Sequence, residues 1–183
     1  MELIAKGQSA TIPLSQGLQA TLFWKTEVDF DLHVQYQSRP RTEKKLFGGE
    51  KSVPSETGHV YFADKGSKNS FPYISLDKDS GIGGDVAAGG NEENIHFMDL
   101  DKHDYILIYV NNFSNNTRFS KYDAKITLKD SRGNELIQVQ VNSNEPGRNC
   151  VIAIVDNTGS QPVLKAIDET IQREPKLADY INR

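Results

Sequence analysis

Alternation of apolar and polar side chains is the clearest pattern in the chain, and it is most regular over residues 28–36. The apolar positions are Val28, Phe30, Leu32, Val34 and Tyr36. The polar positions between them are Asp29, Asp31, His33 and Gln35. Because successive side chains of a strand point to opposite faces, this segment is predicted to be a β-strand with one buried face.

Similar short segments recur along the chain with turn residues between them. Alternation predicts strands at 19–24, 123–129 and 135–141, and the continuous apolar runs at 105–110 and 150–155 predict buried central strands. About nine such strands indicate an all-β fold, and their spacing favours a β-sandwich. We therefore expect residues 1–183 to form a single domain.

The apolar pattern changes near the C-terminus. Val163, Leu164, Ile167 and Ile171 fall on one helical stripe, and Leu177, Tyr180 and Ile181 continue it after Pro175. The spacing predicts a helical segment over 161–183 whose helices pack at one end of the sandwich. An amphipathic helix that binds a partner is the alternative.

Composition excludes several classes of protein. The 183 residues carry a net charge of −4, so no nucleic-acid partner is indicated. No run reaches the roughly twenty apolar residues of a membrane helix, and no signal peptide is recognisable, so a cytoplasmic protein without direct membrane insertion is expected. Cys150 is the single cysteine, which excludes an internal disulfide and a cysteine-rich zinc site.

An acidic, glycine-rich stretch over 76–94 is the strongest candidate for chemistry. It holds five acidic residues and five glycines in about eighteen positions. Carboxylates this close repel one another unless a cation balances them, and Ca²⁺ takes roughly six to eight oxygen ligands. An EF-hand does not fit, because Gly81 and Ala88 stand where ligands are required. A solvated acidic loop is the alternative.

A second acidic pair lies on the strand at 28–36. Asp29 and Asp31 share one face, roughly 7 Å apart by the rise of a strand. Two aspartates side by side are unfavourable in charge and in strand propensity. Either a cation or a basic side chain from a neighbouring strand is expected to compensate them.

Several short motifs in order along the chain resemble the TerD/TerA family of bacterial tellurium-resistance and stress proteins, closest to its TerA branch. The motifs are Leu3-Ile4-Ala5-Lys6-Gly7-Gln8, Trp24 followed by Asp29-Phe30-Asp31-Leu32, Pro72-Tyr73-Ile74-Ser75-Leu76-Asp77-Lys78-Asp79, Glu93-Asn94-Ile95, and Asn149-Cys150-Val151-Ile152-Ala153-Ile154. They extend from residue 3 to about residue 155. The loop after Asp79 is longer than the family's, and Ser80-Gly81-Ile82-Gly83 replaces its acidic run.

The resemblance implies a β-sandwich that binds one or two Ca²⁺ ions between the Asp-x-Asp-Leu strand and the glycine-rich loop. With Asp85 added from the loop composition, the candidate metal ligands are Asp29, Asp31, Asp77, Asp79, Gly81, Gly83, Asp85, Glu93 and Asn94. The implied partners are other tellurium-resistance proteins, including one bound to the membrane.

The resulting expectation is a binding or scaffold module rather than an enzyme. A metal-dependent hydrolase is one alternative, with Asp29, Asp31 and either His33 or His96 at its metal. A carbohydrate-binding module is the other, since calcium and aromatic residues suit that function.

Overall fold

The computed structural model describes residues 2–12, 17–25, 28–77, 90–114, 116 and 118–183, and this part of the chain is all-β. The strands are β1 (Glu2–Ile4), β2 (Ser9–Thr11), β3 (Leu18–Trp24), β4 (Phe30–Ser38), β5 (Arg41–Lys44), β6 (Glu50–Val53), β7 (Thr57–Val60), β8 (Ile74–Leu76), β9 (Asn91–Phe97), β10 (His103–Asn112), β11 (Lys125–Lys129), β12 (Glu135–Gln140), β13 (Asn149–Asp156) and β14 (Val163–Ile171). The prediction of an all-β fold is confirmed. The described strands outnumber the predicted ones because several have only three or four residues, too few for alternation to be recognised.

The strands pair into two six-stranded sheets and one separate hairpin. Sheet A has the order β1-β12-β11-β3-β9-β8, and sheet B has the order β2-β14-β13-β10-β4-β7. Neighbouring strands are antiparallel throughout, apart from the parallel pair β1–β12. Strands β5 and β6 pair only with each other.

Residues from both sheets build one main hydrophobic core. Leu22 and Trp24 come from β3 of sheet A, and Leu32 and Val110 come from β4 and β10 of sheet B; all four are fully buried. The indole nitrogen of Trp24 donates a hydrogen bond to the carbonyl oxygen of Val28 at 2.8 Å. The buried indole is thereby satisfied, and it ties the end of β3 to the start of β4.

The predicted C-terminal helices are wrong. Residues Val163–Ile171 form β14, which pairs with β13 on one side and with β2 on the other. In the described residues after β14, the helical structure is one 3-10 turn, Leu177–Asp179. The other 3-10 turns of the described residues are Leu100–Lys102 and Phe119–Lys121. In the part of the chain that the structure describes, no helix is long and apolar enough to cross a membrane.

A β-bulge explains why β14 has a helical pattern in sequence. Val151 pairs with Glu169, whereas Ala153, two residues further on, pairs with Ala166, so β14 carries one extra residue here. Apolar residues on the two sides of the bulge therefore break the alternation. Ala166 lies in the main core, while its neighbour Ile167 lies on the outer face of sheet B. The shift converts a period of two into spacings of three and four.

Asp168 fixes the backbone at this bulge. Its φ of 46° lies in the left-handed region, which aspartate tolerates better than most residues. Its carboxylate oxygen Oδ1 accepts hydrogen bonds from the backbone N–H groups of Ser143 at 3.0 Å and Asn142 at 3.2 Å. The side chain thus links β14 to the segment that follows β12 in sheet A.

Residues 172–183, here called the C-terminal strap, cover the outer face of sheet B instead of closing one end of the molecule. Leu177 and Tyr180 are buried in a second hydrophobic cluster. Its other buried members are Leu107, Tyr109, Val151, Ile154 and Ile167. The Gln35 side chain holds the strap from β4: its amide nitrogen donates to the Pro175 carbonyl oxygen at 2.7 Å, and its amide oxygen accepts from the Leu177 N–H at 2.8 Å.

Candidate functional site

The strand predicted over 28–36 is present as Phe30–Ser38, and its alternation places Asp31 on the outer face of sheet B, although Asp31 and His33 on that face are buried as well. Phe30, Leu32 and Val34 are fully buried in the main core. Asp31 pairs in register with Asn111 of β10, next to His33 on the same face of β4. Asp29 immediately precedes the strand. The two carboxyl groups are largely buried, with 8% of Asp29 and 6% of Asp31 exposed.

Glu93 reaches the same strand from sheet A. It lies on β9 and is 1% exposed. Because it is two residues from the core residue Ile95, it shares the face of Ile95 and its side chain points between the sheets. Its Oε2 atom accepts a hydrogen bond of 2.7 Å from the backbone N–H of Leu32. Because β7 accompanies β4 only from Val34 to Gln37, this N–H lies beyond the last β4–β7 pair. The segments near residues 30 and 93 therefore meet.

Asn94 and Asp77 lie together on the opposite face of sheet A. The Asn94 side-chain nitrogen donates to Asp77 Oδ2 at 3.0 Å. The Asn94 side-chain oxygen accepts from Gln19 Nε2 and from Thr21 Oγ1, each at 2.7 Å. Alternation along β9 directs Asn94 away from Glu93, and its oxygen already has two donors. The structure thus separates this pair from Glu93, which sequence order alone could not show.

The remaining predicted ligands, Asp79, Gly81, Gly83 and Asp85, lie outside the described residues. Within the described ranges, no group of three or more histidine, cysteine, aspartate or glutamate side chains is arranged to hold a metal ion. Among the described candidate ligands, Asp29, Asp31 and Glu93 are buried carboxylates, but Asp31 lies on the outer face of sheet B whereas Glu93 points between the sheets.

An open pocket of about 450 Å³ lies on the outer face of sheet B. Asn111, the register partner of Asp31, is one of its lining residues. The others are His33, His59, Tyr61, Phe62, Tyr109, Phe113, Arg148, Asn149, Gln172 and Glu174. The wall combines aromatic rings with planar polar side chains, which is the composition of many small-molecule sites.

Hydrogen bonds connect the two histidines of the pocket to the C-terminal strap. His59 Nε2 lies 3.0 Å from His33 Nδ1 and 3.0 Å from the Tyr109 hydroxyl oxygen, both hydrogen-bonding distances. The Tyr109 hydroxyl donates to Glu174 Oε1 at 3.0 Å. Tyr61 stacks on His59 with ring centroids 4.3 Å apart. The rings of the pocket wall are therefore held in place without a ligand.

Burial sets the charge of this network. It lowers the pKa of His33 to about 3, helped by the neighbouring His59, and it lowers the pKa of His59 although Glu174 acts in the other direction. Burial also raises the pKa of the Tyr109 hydroxyl, and Glu174 adds to this rise. At neutral pH the imidazoles and the phenol are uncharged, so the formal charges of the wall are one anion, Glu174, and one cation, Arg148.

Sequence reasoning did not identify this pocket. His33 and His59 appeared as separate histidines outside any metal-binding spacing, and Tyr109 appeared as part of a buried strand. The one available signal was that His33 shares a face with Asp31. The contributing residues lie on β4, β7, β10 and the C-terminal strap, so only the sheet order brings them together.

No protein-family model matches the chain, and no curated protein matches it. The TerD/TerA resemblance therefore rests on the short motifs alone. Two of those motifs, Asp29–Leu32 and Glu93–Ile95, come from different sheets and touch through the hydrogen bond between Glu93 and Leu32.

Proposed function

We propose that this chain is a calcium-binding β-sandwich that serves as a binding or scaffold module in a bacterial stress or tellurite-resistance system of the cytoplasm. The observation that carries the proposal is the position of Glu93. A buried carboxylate from sheet A bonds to the backbone of Leu32 in sheet B, next to the buried Asp31. A cation bound close to buried carboxylates offsets part of the free-energy cost of burying them.

The chemistry of these groups suits Ca²⁺. A carboxylate can supply one or two of the six to eight oxygens that calcium takes, and the proposed buried ligands are Asp29, Asp31 and Glu93. In this proposal the loop residues Asp79, Gly81, Gly83 and Asp85 complete the coordination of one or two ions. Asp77 contributes from the loop end of β8, while Asn94 supports it by its hydrogen bond. A bound ion neutralises the carboxylates and orders the loop against β4.

The ordered loop would then form a surface for partners, which we propose to be other tellurium-resistance proteins, including a membrane-bound one.

A binding role, rather than a catalytic one, also agrees with the burial of the single thiol. Cys150 is fully buried in β13, and burial raises its pKa, with Asp168 adding to the effect. A buried, protonated thiol is a poor nucleophile and a poor reductant of a solvent-borne substrate.

Isothermal titration of the full chain with CaCl₂ tests this proposal. We expect binding of one or two ions, and Asp31→Asn should weaken it at least tenfold because the amide removes one negative charge and one strong oxygen ligand. Asp101→Asn, an exposed aspartate in the 3-10 turn Leu100–Lys102, is the matched control and should bind as the natural chain does. Absence of calcium binding by the natural chain would rule the proposal out.

Saccharide binding is the second candidate function, and the pocket on the outer face of sheet B is the observation that favours it. Phe62 and Phe113 are exposed apolar rings that line this pocket. Pyranose rings pack their C–H faces on such aromatic rings. Planar side-chain groups with two or more polar atoms, such as those of Asn111, Arg148 and Glu174, can form hydrogen bonds with two adjacent hydroxyl groups of a sugar. One cation and one anion leave the wall without net formal charge, which suits a neutral sugar.

A glycan array tests the second candidate. The natural chain should bind a neutral glycan, and Phe62→Ala should reduce the signal at least tenfold through loss of a stacking surface. Phe47→Ala removes an exposed ring outside the pocket and should leave the signal unchanged. Failure to bind any glycan, or equal binding by Phe62→Ala, would exclude a saccharide site here and would leave the calcium proposal unaffected.

A further inference from the structure

The separate hairpin β5–β6 carries an apolar tip. Residues 45–49 connect its strands, and the turn is closed by hydrogen bonds from the Lys45 N–H to the Gly49 oxygen at 3.0 Å and from the Gly48 N–H to the Lys45 oxygen at 3.2 Å. Gly48 and Gly49 adopt φ values of 91° and 85°, which favour glycine. The turn presents Leu46 and Phe47 to solvent, and these side chains are 92% and 98% exposed.

This exposure differs from that of other surface apolar residues. Leu3, the next most exposed large apolar side chain of the described residues, is 67% exposed, and it stands on β1 beside another strand. Single exposed apolar residues are common on proteins, but two adjacent ones at a projecting turn indicate a contact surface.

Basic residues surround the apolar tip. The segment 39–51 has five basic residues and two acidic ones, in a chain whose net charge is −4. Lys44, Lys45 and Lys51 are exposed, and in the described part of the chain no carboxylate lies within ion-pair distance of them. Arg41 and Arg39 are paired instead, with Glu43, Glu56 and Asp104. The positive charge near the tip is thus concentrated on the lysines.

We propose that this hairpin tip binds the surface of an anionic lipid bilayer. Leu46 and Phe47 enter the boundary between headgroups and acyl chains, and Lys44, Lys45 and Lys51 contact the headgroup phosphates. The tip is too small for a stable protein interface, which buries roughly 1,200 Å² or more in total. A bilayer sets no such minimum, because each inserted apolar side chain and each nearby lysine adds to binding on its own.

The expectation of no direct membrane insertion rested on the lack of a long apolar segment. A peripheral contact needs no such segment, since two apolar side chains enter only the outer boundary of one leaflet. The proposal is independent of calcium, because it uses neither the carboxylates at β4 nor the glycine-rich loop.

Co-sedimentation of the full chain with vesicles in EDTA tests the proposal. Vesicles of equal parts phosphatidylglycerol and phosphatidylcholine should bind the natural chain, and pure phosphatidylcholine should bind it at least tenfold less. The double variant Leu46→Ser/Phe47→Ser and the double variant Lys44→Glu/Lys45→Glu should each lower binding to anionic vesicles at least tenfold. Leu3→Ser is the matched control and should bind like the natural chain.

A fluorescence measurement separates insertion from simple charge attraction. Trp24, the single tryptophan, is fully buried, so its emission should not respond to vesicles. In Phe47→Trp, the added indole should shift its emission to shorter wavelength when anionic vesicles are present. No binding by the natural chain, equal binding by Leu46→Ser/Phe47→Ser, or an unshifted Phe47→Trp emission would each overturn the proposal.

Discussion

Calcium at one hundred times its dissociation constant is expected to raise the free energy of unfolding by about 2.7 kcal/mol, and Glu93→Gln is expected to abolish most of this gain. The proposed ligands Asp29, Asp31 and Glu93 come from separate segments, so the ion binds the folded chain and has no comparable site in the unfolded chain. The glutamine side chain removes one negative charge from that site. Urea unfolding in the presence of CaCl₂ and in the presence of EGTA measures both effects.

Two further variants separate the metal effect from the structural role of Glu93. In EGTA, Glu93→Gln should keep nearly the natural stability, because its amide oxygen can still accept the hydrogen bond of the Leu32 N–H. Glu93→Met removes that acceptor and should lose about 1–3 kcal/mol in EGTA. Glu135→Gln, at the exposed start of β12, should retain the full calcium response. An undiminished calcium response in Glu93→Gln would mean that Glu93 is not at the ion.

Leu177→Ala is expected to lower the free energy of unfolding by about 2–5 kcal/mol. Leu177 is buried under the C-terminal strap, against the outer face of sheet B. Truncation of the side chain leaves a cavity between the strap and that face. The hydrogen bond from the Leu177 N–H to Gln35 holds the strap backbone in place, so the strap does not move inward to fill the cavity. Thermal or urea unfolding of the purified chain gives the value.

The neighbouring Ala178 supplies the control for this variant. It is exposed in the same 3-10 turn, so Ala178→Ser should change the free energy of unfolding by less than about 0.5 kcal/mol. Equal, small losses in Leu177→Ala and Ala178→Ser would show that the strap does not pack on sheet B. A large loss in Leu177→Ala alone would support the packed strap.

Local alternation was enough to predict β4, because one face of that strand is buried over its whole length. The same reasoning failed for β14, where the bulge opposite Val151 and Ala153 moves Ile167 to the other face. A bulge adds one residue without leaving a distinctive composition. The resulting spacing of three and four is also the spacing of a helix, so sequence alone could not separate the two interpretations.

Long-range contacts limited the prediction of the candidate site. The hydrogen bond between Glu93 and Leu32 joins the segments near residues 30 and 93, whereas Asp31 lies on the outer face of β4 and the loop ligands lie outside the described residues. The orientation of Asn94 away from Glu93 was missed, because adjacent residues of a strand point to opposite faces while motif matching treats them as one unit. His59 lies near His33 because β7 neighbours β4 in sheet B, and Glu174 lies near them because the C-terminal strap covers that face.

In the proposed site, Ca²⁺ lies among carboxylates contributed by the segment at residue 30 and by the segment that ends at residue 93. A crystal of the full chain grown with calcium, measured at a wavelength where calcium scatters anomalously, tests this claim most directly. We expect an anomalous peak with carboxylate oxygen atoms of the proposed ligands at 2.3–2.6 Å, the usual calcium–oxygen distance. A fully ordered site with no peak, or with a lysine or arginine side chain in that place, would contradict it.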